Sequence, residues 1–99
     1  MPLPEALRRR DAVLRAFVGP DGRLTSIPAR HAKRLVVLDH LAQRFEPGRR
    51  YEEVEVNRTL REVHDDVAAL RRYLVEDGFL SREAGVYWRS GGTVDPGGA

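Results

Sequence analysis

Two helix-period segments, 53–63 and 65–77, are separated by only a tight turn, and two short alternating segments around Ala84-Gly85 follow them. Helix, turn, helix, hairpin predicts an α+β fold that is mainly α. The expected form is a winged helix-turn-helix with an additional N-terminal helix and a C-terminal β-hairpin as the wing. A chain of 99 residues holds one domain at most. It is expected over 1–89, including the N-terminal helix 4–18, with a flexible Gly- and Pro-rich tail over 90–99.

In 4–18, Leu7, Leu14, Phe17 and Val18 form one stripe, while Arg8, Arg9, Asp11 and Arg15 cover the rest. Pro4 suits a first turn, and Gly19-Pro20-Asp21-Gly22 stops the helix. Residues 23–28 read as a short extended piece, with Ser26-Ile27-Pro28 as the entry to the next helix. That helix, 28–45, is expected to bury Leu35, Leu38, Leu41, Ala42 and Phe45 and to leave Arg30, Lys33, Arg34 and Arg44 in water. Glu46-Pro47-Gly48 ends it, because Pro47 cannot continue a helix and Gly48 can reverse the chain.

Arg49-Arg50-Tyr51 reads as an extended link. The following helix turns Val56, Leu60 and Val63 inward and sets Glu52, Glu53 and Glu55 at its positive end, where they suit the helix dipole. His64-Asp65-Asp66 makes the turn, and either Asp can cap the next helix. That helix buries Val67, Leu70 and Leu74, with Tyr73 beside them, and Asp77-Gly78 ends it. Residues 79–82 and 86–89 alternate with period two around Glu83-Ala84-Gly85, a hairpin signature. Tyr87 and Trp88 point to opposite faces of that hairpin, so one ring closes the small core.

The composition excludes several classes. No cysteine is present, so there is no disulfide framework and no thiolate metal site. No apolar run is long enough to span a bilayer, so no membrane is expected. MPLPEALRRR has no apolar stretch after its charges and does not read as a secretory signal. These observations point to the cytoplasm. The net charge is +2 yet the isoelectric point is about 9.5, because every basic residue except Lys33 is Arg. Arg suits phosphates and carboxylates; GC-rich coding is the simpler source of the bias, since the acids nearly balance it.

No catalytic signature such as GxSxG, a P-loop, GxGxxG or HExxH occurs, and Ser26, Ser81 and Ser90 sit at element ends or in the tail. No enzyme and no cofactor are expected. For metal, His64 with Glu62, Asp65 and Asp66 is the sole cluster. Adjacent turn residues rarely converge on one ion, so a His bonded to backbone or cap is the better reading, and no metal site is assigned.

Several pieces resemble a known family: SIP at 26–28, FEPGRRY at 45–51, EVN at 55–57, HDDVAALRRYLVEDGFL at 64–80 and YWR at 87–89. Over roughly residues 12–89 the chain closely resembles the prokaryotic domain-of-unknown-function 2087 family. The resemblance implies a winged-helix-like domain, found alone or attached to regulators of the arsenical-repressor type, with no established biochemical activity. Val67 departs from it, standing where relatives are expected to carry an aromatic residue.

The leading function is therefore a non-catalytic, DNA-binding transcriptional regulator or regulator-like module. In a winged helix the second helix of the motif enters the major groove. Arg71 and Arg72 are the expected readers of guanine edges or phosphates, Arg82 and Arg89 on the hairpin meet backbone phosphates, and Arg49 and Arg50 just ahead of the motif do the same. The competing reading of Arg71-Arg72 is a solvated helix face paired to Glu76 or nearby Asp residues. The objection is charge. Residues 52–66 hold six acids and two bases, a net of −4, whereas 23–50 hold seven bases and two acids, a net of +5. Phosphate neutralisation supplies most non-specific affinity, so an acidic leading edge opposes it. Either the Asp pair is only a cap, or the scaffold binds protein, which is the alternative function. A homodimer through the N-terminal helix is a further expectation, because paired half-sites favour symmetric regulators. Arg8-Arg9-Arg10 reads as a phosphate arm or as the wet side of that helix, the latter being the default.

Overall fold

The computed structural model describes residues 5–94. Pro4 and residues 95–99 of the expected tail lie outside the described residues. The element order is α1 (Glu5–Phe17), α2 (His31–Ala42), β1 (Arg50–Glu52), α3 (Glu53–Arg61), α4 (Val67–Glu76), β2 (Leu80–Glu83) and β3 (Val86–Arg89). The fold is α+β, with four helices and one three-stranded antiparallel sheet among the described residues. The sheet order is β1-β3-β2, with Tyr51 opposite Tyr87 and Arg82 on the other side of Tyr87.

The core sits where α2, α3 and α4 meet one face of this sheet. The apolar spacing explains which faces turn inward. Val37, Leu38, Leu41 and Ala42 come from α2, Val56 and Leu60 from α3, and Val67, Leu70 and Leu74 from α4; Leu80 and Tyr87 come from the hairpin, and all are buried. Tyr87 is the ring that closes the core, and Trp88 is half-buried.

Four features differ from the sequence reading. First, α2 begins at His31 and not at Pro28. Pro28 is itself buried and Arg30 is extended, so the chain must leave the core before it can wind. Second, the link at 49–51 contains a strand, since Arg50–Glu52 pairs with β3. Three residues are too few for an alternation to show. Third, α1 has no fully buried residue. Val13, Phe17 and Val18 pack against the core from outside, and Leu7 stays 46% exposed. Fourth, residues 90–94 are tied down: the Thr93 N–H and hydroxyl donate to the two Asp39 carboxylate oxygens at 2.6 and 2.7 Å, and Gln43 donates to the Thr93 carbonyl at 2.9 Å.

Local chemistry fixes the joints. After α4 the Phe79 N–H reaches the Leu74 carbonyl at 2.8 Å and the Gly78 N–H reaches Val75 at 3.1 Å, with Gly78 at φ +81°. This is the Schellman arrangement, and Phe79 and Leu74 are both buried beside it. In the 45–51 segment the Tyr51 hydroxyl accepts the Glu46 N–H at 2.8 Å, and its ring meets Phe45 edge-on. The hairpin turn is two residues long, and Ala84 and Gly85 both have positive φ, at 52° and 79°. That is the type I′ pattern, in which a left-handed alanine is strained.

Two predictions follow from this architecture. Ala84→Asn supplies a residue that tolerates the left-handed region, so it should raise stability by about 0.5–1 kcal/mol and the thermal midpoint by a few degrees. A lowered midpoint would contradict the turn assignment. The second concerns His40 on α2. Burial, then the Arg10 and Arg44 charges, push its imidazole below the ordinary value, and only Asp39 opposes them. A depressed folded value means that stability is intact above the ordinary imidazole range and falls as pH drops through the folded value. Denaturant titrations from about pH 7.5 to 5 should show this loss, and His40→Gln should flatten it; an equally steep loss in the variant would refute the assignment.

Candidate nucleic-acid interface

α3, the turn at 62–66 and α4 form a tightly braced unit. Asp66 caps α4, its carboxylate accepting the Ala69 N–H at 3.1 Å, and His64 Nδ1 accepts the Asp66 N–H at 3.0 Å. Arg23 reaches across from the loop after α1. Its Nη1 donates to the Arg61 carbonyl at 3.0 Å, and its Nη2 meets the Asp65 carboxylate at 2.9 Å. It thus satisfies an end carbonyl of α3 that the helix cannot satisfy itself. Beside it, the Leu24 N–H bonds the Val63 carbonyl at 2.8 Å.

Of the six arginines singled out from the sequence, Arg71, Arg72 and Arg82 line one open groove of about 390 Å³, between α4 and β2, with Ala68, Val75 and Glu76. Their environments differ. Arg71 is mostly covered; it bonds Asn57 on α3 and lies 3.6 Å from Glu53. Arg72 is 59% exposed, 3.8 Å from Glu76 a turn away, and its guanidinium lies over the Tyr73 ring. Arg82 is exposed on β2. The Tyr87 hydroxyl, and then the Glu53 carboxylate behind it, hold its pKa above the ordinary value.

The other three lie elsewhere. Arg89 turns onto carbonyl oxygens, donating through Nε to Gly91 at 3.1 Å, through Nη1 to Phe45 at 3.3 Å, and to Thr93. It clips the 91–93 segment to the domain. Arg49 covers Tyr51 and lies 3.6 Å from Glu55, and Arg50 covers Trp88. Both are stacked on sheet aromatics, on a separate part of the surface from the groove lining.

The charge imbalance along the chain is partly offset in space. Among the acids of 52–66, Glu55 faces Arg49, Glu62 meets Arg44 at 3.2 Å, Asp65 meets Arg23, and Glu53 faces Arg71. Asp66 is spent on the cap. Three of the seven basic residues of 23–50, Arg23, Arg44 and Arg49, are partners of this acidic stretch. Each exposed pair is worth little in stability, but together they offset the negative field ahead of α4. Among the described residues no group of three His, Asp or Glu side chains converges as a metal site.

Sequence reading missed Arg23, Asn57 and Arg34. Arg34 was expected in water but lies over the Tyr73 ring, 4.4 Å from its centroid, with Nε buried. These are contacts between distant segments, and single-helix periodicity carries no signal for them. The two α4 arginines should therefore behave differently. Arg71→Ala leaves Asn57 without its partner and removes the cation beside Glu53, and should cost about 1–2 kcal/mol, whereas Arg72→Ala should stay within about 0.5 kcal/mol. Equal costs in urea titration would contradict the distinction.

No curated protein and no solved structure matches the chain. Among families, the one described as "Uncharacterized protein conserved in bacteria (DUF2087)" matches residues 23–89, from Arg23 to Arg89. α1 lies outside the matched stretch, and α2 through β3 lie within it. The chain therefore belongs to the DUF2087 family.

Proposed function

We propose that this chain is a non-catalytic DNA-binding module of the winged helix-turn-helix kind, acting as a transcriptional regulator or as part of one. In this reading α3 and α4 are the helix-turn-helix, α4 enters the major groove, and β2–β3 is the wing. The order α2-β1-α3-α4-β2-β3, with sheet order β1-β3-β2, supports it. The observation that carries it is the single groove shared by Arg71, Arg72 and Arg82. Cations from the recognition helix and from the wing converge there, as phosphate contact on both sides of a groove edge requires.

Arg72 and Arg82 are the phosphate contacts in this reading, since both are exposed. Arg71 positions α4 against α3. Arg49 and Arg50 flank the sheet edge and add general positive field. Arg89 serves the interface indirectly, by holding the end of β3. The acids ahead of α4 oppose binding less than their number suggests, because four face arginines and one is a cap.

Binding of a random-sequence duplex, followed by fluorescence anisotropy over a salt series, tests the proposal. The wild-type chain should bind at about 50 mM salt and lose affinity steeply as salt rises. The Arg72→Ala, Arg82→Ala double variant should reduce the log–log salt slope by about 2 without loss of fold. Absence of binding at low salt, or an unchanged slope, would instead favour a protein-interaction module on the same scaffold.

A further inference from the structure

A broad apolar concavity among the described residues is separate from the arginine groove. It lies between α1 and α2 and has a volume of about 570 Å³. Val13 and Phe17 of α1 and Val36 of α2 supply its apolar bulk, and Ala16 and Ala32 keep its walls low. Arg9, Arg10 and Lys33 are its only charged lining residues, with no carboxylate among them. Arg9 is paired to Glu5 and Arg10 lies 3.8 Å from Asp39, whereas Lys33 makes no ion pair among the described residues.

Its shape suits a helix. The α1 side runs from Ala6 to Phe17, about 16 Å of helix axis or roughly three turns. Alanines at the walls let a backbone approach closely. Apolar floor with cationic rim is the complement of a helix whose apolar stripe is flanked by Asp or Glu. A second copy of this chain fits poorly. Two such grooves turned face to face would set the Lys33 ammonium of each copy against a lining that offers it no carboxylate.

We infer that the α1–α2 groove is a docking site for an acidic amphipathic helix of a partner protein. The site is separate from the proposed DNA surface, so one chain can hold a partner and a duplex together. The partial burial of α1 is then a property of the free chain, and the incoming helix completes its packing.

Two synthetic, fluorescein-labelled helices of about 14 residues test this. They carry the same Leu/Ala stripe; one is flanked by Glu and the other by Lys. The Glu-flanked helix should bind the full chain, weaken with salt, and outcompete the Lys-flanked one. Lys33→Glu, an exposed change that spares the core, should weaken binding about fivefold, and Ala32→Gln should weaken it by narrowing the wall. Arg72→Ala with Arg82→Ala should leave peptide affinity unchanged, which separates this site from attraction to the other arginines. No binding, equal binding of both peptides, or dependence on Arg72 and Arg82 would overturn the inference. So would sedimentation showing a concentration-dependent dimer that Ala32→Gln abolishes, since a second copy would then occupy the groove.

Discussion

The Tyr87 hydroxyl donates to Glu53 at 2.7 Å from a ring that is almost wholly buried at the centre of the sheet. Glu53 in turn faces Arg71, and Arg71 bonds Asn57. This chain of contacts ties β3, the first turn of α3 and the middle of α4 into one unit. Partly buried polar networks of this kind fix geometry more than they add net stability. These contacts brace α4 and the hairpin on the two sides of the groove that holds Arg72 and Arg82. Removal of one member leaves its neighbours short of a partner.

The same economy shapes the electrostatics. A chain with almost as many acids as bases presents a cationic groove only if its acids are occupied elsewhere. Here arginines that precede the motif in sequence, Arg23, Arg44 and Arg49, return in space to the acids of α3 and of the turn. Arg23 does double service, since it also takes an end carbonyl of α3. Arginine suits this role because its fork can meet a carboxylate and a carbonyl at once. The bias toward Arg over Lys is thereby used structurally, whatever its origin in coding.

Element order, helix faces and the hairpin were legible because each rests on short-range pattern. Val56, Leu60, Val63, Val67, Leu70 and Leu74 follow helical spacing, and all are buried. Asp66 as a cap and Gly78 as a stop are local chemistry. Arg50–Glu52 was not legible as a strand, because its pairing with β3 spans more than thirty residues of chain and three residues carry no periodicity. Arg89 was the least readable site residue. Its place on the hairpin suggested a phosphate contact, yet the carbonyls of Phe45 and Gly91 draw it back. The sign of the local charge was equally misleading, because the compensating arginines lie elsewhere in the sequence.

In the proposed function one surface, the outer face of α4 with β2, meets nucleic acid. Amide chemical-shift mapping of the isotopically labelled chain against a short random duplex at low salt tests it most directly. Shifts should concentrate at Ala68, Arg72, Val75 and Glu76 and across Ser81–Glu83, while α1 and the α1–α2 groove stay unmoved. Shifts centred on Arg8, Arg9, Arg10 and Lys33, or none along α4, would contradict it.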